Sequence, residues 1–315
     1  MASEPETHHL KLKLECMADA VELRGIRKTY DHFVAVDHLS ISIRAGSVYG
    51  LLGPNGAGKT STIRMMIGIT MPDEGEVRLF GEKFHRGLLP RVGYLPEERG
   101  LYKRMKVIDH LVFLGRLHEL PEHEARKRSL EWCERLQLSE WTHKKVEELS
   151  KGMQQKIQFA AALLHDPDLV IMDEPFSGLD PANAVMLKDV LIELKKSGKT
   201  ILFSTHRMDQ VERLCEAICL IDHGRAVLEG DLKKIKASYG KNNVQMQYEG
   251  DPRLESCDLV QSFNNYGNYV EVCLKPGADA QQLLRIAADN ARISRFELVE
   301  PSLEAIFIDQ VGRNA

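Results

Sequence analysis

The sequence predicts an α/β fold that carries an all-helical insert and is followed by a smaller α+β appendage. Three observations lead there. Short apolar strands alternate with helical stretches from Val21 onward, strand signals vanish between Val107 and Leu164, and the texture changes after about Tyr239. In the first part, strands are expected at 21–26, 39–43, 47–52, 76–80, 92–95, 169–172, 200–204, 217–221 and 226–229. Within the insert, 107–120 reads as a helix stopped by Pro121, and 122–138 as a second, charge-rich helix. Beyond Tyr239 the expected order is strands at 243–248, 260–263 and 269–274, a helix at 278–291, a strand at 294–299 and a closing helix at 302–311. The expected organisation is a flexible leader over 1–19, a main domain over 20–238 with its helical part at about 98–165, and an accessory domain over 243–315. The run 239–243 is the best linker.

Composition narrows the class. The chain has 315 residues, about two domains' worth, and 43% hydrophobic residues can close a sizeable core. With 42 Lys+Arg against 46 Asp+Glu the net charge is -4, which argues against a protein built to neutralise nucleic-acid phosphates. The longest apolar run, 159–164, is far short of the roughly 18 residues a membrane span needs. The chain is therefore read as soluble, with any membrane role supplied by a partner. Residues 1–16 begin acidic and have no basic segment followed by an apolar one, so they do not read as a secretory signal. The six cysteines are scattered and never spaced CxxC, the pattern of buried thiols in a reducing compartment. Cys215 and Cys219, four apart, would share a face if helical.

One run carries strong chemistry. Gly53-Pro54-Asn55-Gly56-Ala57-Gly58-Lys59-Thr60 follows an apolar strand and precedes Ser61 and a helical segment, the context a phosphate-binding loop requires. Glycines let the chain curl so that its N–H groups converge on an anion, and the helix behind them adds its dipole. Lys59 would lie along the terminal phosphates and Thr60 would offer its hydroxyl to Mg²⁺. A chance match in a chain of this length is on the order of 1 in 100. The run Leu169-Val170-Ile171-Met172-Asp173-Glu174 is a buried strand ending in two carboxylates, where ligands of parallel sheets sit. Asp173 would hold Mg²⁺ through water, and Glu174 would orient or deprotonate the attacking water. Ser150 reads as a helix N-cap whose hydroxyl, with the Gly152 N–H, could instead face an anion. Ser177-Gly178-Leu179-Asp180-Pro181 is a turn, and Ser204-Thr205-His206 ends the next strand with an imidazole. Cap, turn and strand end are each unremarkable alone, but their order is not.

Together these residues resemble the nucleotide-binding subunits of ATP-binding cassette (ABC) transporters, over about residues 20–235. The resemblance implies a P-loop NTPase core that binds ATP and Mg²⁺. It implies a Walker A loop from Gly53 to Thr60, with Asp173 as the Walker B aspartate and Glu174 as the catalytic glutamate. Leu149 to Met153 becomes the family signature, Asp180 the D-loop residue, His206 the switch histidine, and Tyr30 the aromatic that stacks on adenine. It further implies head-to-tail pairing of two such subunits, so that Ser150 and Gly152 of one close on the ATP of the other. The chain departs from the pattern at Lys151 and Met153 within the signature, and at Glu97, where the family usually has the Q-loop glutamine. The runs Leu95-Pro96-Glu97-Glu98-Arg99-Gly100 and Pro301-Ser302-Leu303-Glu304-Ala305 resemble an export-type branch close to sodium-efflux ATPase subunits. The implied function is ATP hydrolysis driving export through a separate membrane permease, at the inner face of the cell membrane, with no nucleic-acid partner. The basic loop 99–106 is the expected permease contact. The alternative is a non-transport member acting on ribosomes or DNA, and a small-molecule kinase would leave the signature and His206 unexplained.

Overall fold

The computed structural model describes residues 19–314 apart from 99, 240–242 and 276, so the expected leader up to residue 18, Cys16, Arg99 and the centre of the expected linker lie outside the described residues, while Asp19, the leader's last expected residue, already opens a strand. The chain divides into two compact units, up to Glu229 and from Gly230 onward.

The first unit holds two sheets. β1 (Asp19–Tyr30), β2 (Phe33–Arg44), β4 (Glu74–Leu79) and β5 (Glu82–Lys83) form an antiparallel sheet in the order β2-β1-β4-β5. Apolar residues alternate along β1 and β2, and Val21, Leu23, Ile26, Ile41 and Ile43 all point into the core. The second sheet has the order β10-β9-β3-β8-β7-β6, built from β3 (Val48–Leu52), β6 (Val92–Leu95), β7 (Leu169–Asp173), β8 (Thr200–Thr205), β9 (Ala217–Asp222) and β10 (Arg225–Asp231). The strands from β9 to β6 pair in parallel. Every residue of β3, β7 and β8 is buried, which is why each segment carries consecutive apolar residues instead of alternating with polar ones. One core joins Leu23, Ile43, Leu51, Ile171 and Leu202 with Ile63 and Met66 of α1 (Lys59–Met66).

The helical insert contains α2 (Val107–Leu117), α3 (Glu122–Arg135) and α4 (Lys151–Leu163). α2 stops a turn before Pro121. Glu119 takes a left-handed backbone (φ 64°), and the Leu120 N–H returns to the Gly115 carbonyl, so the chain turns before the proline is reached. α3 ends at Arg135 in the same manner, with Gln137 at φ 58° and Leu138 N bonded to the Cys133 carbonyl. α5 (Pro181–Lys196) and α6 (Met208–Leu214) follow β7 and β8. Cys215 lies just past α6 while Cys219 is in β9, so the two do not share a helix face; both thiols are buried.

The second unit begins with α7 (Leu232–Ser238) and carries a four-stranded antiparallel sheet ordered β12-β13-β11-β14. Its members are β11 (Asn243–Gly250), β12 (Val260–Asn265), β13 (Val270–Leu274) and β14 (Ala291–Val299). α8 (Ala280–Asn290) packs Ala280, Leu283 and Ala287 against Val244, Met246, Val270 and Val272. α9 (Leu303–Asn314) closes the unit, its first turn anchored by Ser302, whose N–H and hydroxyl both donate to the Glu271 carboxylate at 2.8 Å. Among the described residues no helix is long and apolar enough to cross a membrane.

Candidate functional site

The carboxyl ends of β3, β7 and β8 meet at a cleft of about 450 Å³. The loop after β3 forms one wall. Gly53 (φ 151°) and Gly58 (φ 108°) have backbones closed to other residues. A Cβ on Gly53 would lie 2.2 Å from the Ile221 carbonyl oxygen, and one on Gly58 2.3 Å from that of Ala35. Gly56 is also left-handed (φ 81°) but faces open space. Asn55, Gly56, Gly58, Lys59, Thr60 and Ser61 line the cleft. Gly53 and Pro54 lie behind it and direct their carbonyls at the Lys59 Nζ, 2.8 and 3.0 Å away, and Ala57 is buried. Burial pushes the Lys59 ammonium below the usual lysine range, against the pull of the Glu174, Asp173 and Glu97 carboxylates.

β7 and β8 build the opposite wall. Asp173 is buried, and its Oδ1 accepts from the Ser204 hydroxyl, while its Oδ2 is buried with no hydrogen-bond partner. Glu174 sits at φ 48°, a left-handed conformation costly for a residue with a Cβ. Its N–H reaches both the hydroxyl and the carbonyl of Ser204, each at 3.2 Å, which holds the strained residue in place. Both oxygens of the Glu174 carboxylate are held, with acceptor capacity left on Oε2. Oε1 accepts from the His206 N–H at 3.0 Å and lies 2.8 Å from the His206 Nδ1, and Oε2 accepts from the Thr205 hydroxyl at 3.2 Å. The imidazole therefore leans on the glutamate as well as lining the cleft.

The β1–β2 hairpin supplies an aromatic rim. Asp31 takes φ 51° in the two-residue turn, so Tyr30 and Phe33 stand opposite one another at the cleft mouth, 39% and 61% exposed, a flat apolar ledge that a base can stack on. Glu97 also lines the cleft. Its loop is held by Gln158 of α4, whose Nε2 donates to the Pro96 and Glu98 carbonyls at 3.0 and 3.2 Å, and Gln155 of the same helix donates to the Pro175 carbonyl at 3.3 Å. One helix of the insert thus grips both flanks of the site.

Three expected residues lie elsewhere in the chain. Ser150 caps α4, accepting from the Met153 N–H at 3.3 Å, and Gly152 lies beside Asn183 and Leu179. Asp180 caps α5, accepting from the Asn183 N–H at 2.9 Å. None of the three lines the cleft. Conversely, Phe33, Ser177, Ser204 and Thr205 belong to the site although none of them takes a role of its own from the sequence motifs.

The site asks for a divalent cation. It sets one lysine against the carboxylates of Glu97, Asp173 and Glu174, so a polyphosphate entering alone would meet net negative charge. The unpartnered Asp173 Oδ2 and the Thr60 hydroxyl in the same cleft are the hard oxygen donors Mg²⁺ takes, so the residues fit that ion. No cluster of three or more His, Cys, Asp or Glu able to hold a metal occurs among the described residues.

Residues 36–177 match the family model described as ABC transporter, and residues 230–311 match the C-terminal domain of ATP-binding proteins like DrrA1-3. An uncharacterized ABC transporter ATP-binding protein, YhaQ of Bacillus subtilis, is 46% identical over 288 residues, 91% of this chain and 97% of that protein. The chain belongs to the ABC transporter family of ATP-binding proteins. The Nod factor export ATP-binding protein I of Paraburkholderia xenovorans is another relative of this ABC subunit, 37% identical over 93% of this chain and 97% of that one. Among solved structures, an ATP-binding subunit of an ABC transporter aligns with a TM-score of 0.65 at 30% identity, covering 70% of this chain and 93% of that chain. The dimeric post-hydrolysis cassette MJ0796, bound to ADP and Pi, aligns at 0.62 and 25% identity over 67% of this chain and 98% of its own. ATP hydrolysis is general to this family.

Proposed function

We propose that this ABC subunit hydrolyses Mg-ATP in the cleft below β3 and β7, and that two cassettes pair to drive export through a separate membrane permease. The observation that carries the chemistry is the Asp173–Glu174 pair. A buried carboxylate oxygen lacking any partner stands next to a glutamate locked in a strained backbone and aimed by three hydrogen bonds, in the cleft that the glycine loop also lines.

In this reading the N–H groups of residues 55–60 and the Lys59 ammonium bind the phosphates, and Tyr30 with Phe33 stacks the base. Mg²⁺, held by Thr60 and through water by Asp173, would neutralise charge that develops on the phosphate oxygens. Glu174 orients and deprotonates the attacking water. Thr205 and His206 hold its carboxylate so that both oxygens keep one direction. Rate enhancement then rests on positioning and preorganised charge. Ser150, Gly152 and Asp180 act across the pairing interface. The dimeric cassette aligned above supports this, as does the position of all three outside the cleft of their own chain.

Export is favoured by the relatives named for Nod factor export and by the match of residues 230–311. Permease docking is supported by an apolar groove of about 380 Å³ lined by Ile69, Tyr94, Leu101, Leu114 and His118. Gly100 and Leu101 of the basic loop border it. The subunit then works at the inner face of the cell membrane. Co-purification from membranes tests this: a multi-span protein held by the wild type and lost when 99–106 is replaced by a neutral linker is expected. Recovery of ribosomes or DNA would instead support the non-transport alternative.

A further inference from the structure

The sheet of the second unit ends in an open strand whose sequence is complementary to itself. β14 is the terminal strand of the order β12-β13-β11-β14, and β11 is the one strand it pairs with among the described residues. No backbone hydrogen bond engages its outer side among the described residues. Such an edge offers a row of N–H and C=O groups to another strand.

The register on β11 assigns faces. Leu298, Phe296 and Ile293 stand opposite Val244, Met246 and Tyr248, on the side of the core, while Glu297 and Arg295 stand opposite Gln245 and Gln247 on the other side. A bulge at Ser294 keeps the two faces in phase. Val244 is fully buried, yet its neighbour Leu298 is 53% exposed, so the apolar face runs on to the edge and stops uncovered.

We propose that β14 pairs antiparallel with β14 of a second copy about a two-fold axis through Phe296, giving a continuous eight-stranded sheet. An axis perpendicular to the sheet sets residues of the same face against each other. Centred on Arg295 or Glu297, it would put like charges face to face. Centred on Phe296, it sets Arg295 of each copy against Glu297 of the other, twice. It also brings Leu298 of each copy to Ile293 of the other, and joins the two phenylalanines on the axis. Within one copy Arg295 Nη2 already lies 2.5 Å from Glu297 Oε2, so pairing closes a ring of four alternating charges from side chains that are half exposed. The other open edge, β12, reads Val-Gln-Ser-Phe-Asn-Asn and has no charge with which to fix a register. This contact goes beyond the pairing of cassettes around ATP and needs no nucleotide.

The test is sedimentation equilibrium of the full chain in nucleotide-free buffer. The wild type is expected to dimerise. Arg295→Glu and Glu297→Arg each turn two attractive contacts into two repulsive ones, and each should weaken association about tenfold or more. The double variant Arg295→Glu/Glu297→Arg restores the complementarity and should return it to near the wild-type constant. Leu298→Glu should weaken it independently. A monomeric wild type at about 100 μM, single reversals that associate as the wild type does, or a double reversal no better than the singles would each overturn the proposal. Because no ATP is present, these outcomes are separate from any failure of the cleft to bind nucleotide.

Discussion

Removing one hydroxyl, in Ser204→Ala, isolates the preorganisation of the carboxylate pair. Ser204 is fully buried, and its Oγ donates to Asp173 Oδ1 while accepting from the Glu174 N–H at 3.2 Å. Alanine leaves both Asp173 oxygens without a protein partner, since Oδ2 already has none, and leaves the Glu174 N–H only the Ser204 carbonyl at 3.2 Å. A hydrogen bond to a charged group is worth about 1.5–3 kcal/mol. If that energy serves to hold Asp173 and the left-handed Glu174 in their working geometry, turnover falls about 10- to 150-fold. The assay is steady-state ATP hydrolysis across ATP and Mg²⁺ concentrations, alongside calorimetric ATP binding. A lower kcat, a higher Mg²⁺ requirement and an ATP affinity within about threefold of wild type are expected. A variant that melts earlier yet keeps wild-type kcat and Mg²⁺ dependence would show that the hydroxyl serves the fold alone and not the carboxylate pair.

Lys59→Ala removes the buried ammonium from the loop, and one charge-assisted contact of about 1.5–3 kcal/mol translates to roughly a 10- to 150-fold rise in ATP Kd, measured by calorimetry. Tyr30→Ala strips half the aromatic ledge and should raise KM for ATP while leaving kcat near wild type, with the effect growing when Phe33→Ala is added. His110 and His165 are held down to about 4 by burial, and both ring nitrogens of His110 are buried without partners. Both are bases whose folded values lie below the unfolded 6.5, so between pH 6.5 and 4 the unfolded chain binds protons that the folded chain refuses. Stability is therefore complete above about 6.5, falls as pH drops through that window and levels off below 4. His110→Leu should flatten the fall of Tm between pH 7 and pH 5, and an unchanged slope would contradict the assignment.

Much of the fold was legible because its strands are buried on both faces. Val92–Leu95 is the same four residues in sequence and structure, and β7 and β8 differ from expectation by a residue at one end. Solvent-covered elements were harder. α6 and α7 are seven-residue amphipathic segments whose polar faces resemble loops, and β5 is only two residues long. The strand order of the second unit's sheet could not be read, because β11 joins β14 across 40 intervening residues and nothing local records that pairing. In the cleft, the glycine loop and the two carboxylates announce themselves through spacing. Ser204 and Thr205 do not, since hydroxyl residues are ordinary in strands and their partners lie 31 positions away. Gln158 is silent for the same reason, reaching the Glu97 loop 60 and 62 positions back.

The most direct test of the account compares wild type with Glu174→Gln, measuring ATP binding by calorimetry and phosphate release in the same Mg²⁺ buffer. The amide keeps the shape, its oxygen can accept from the His206 N–H and its NH2 can donate to the Thr205 hydroxyl, but it cannot take a proton from water. Binding within about threefold of wild type, with phosphate release reduced a hundredfold or more, is the predicted result. Phosphate release at the wild-type rate, with ATP bound equally well, would take the chemistry away from this carboxylate.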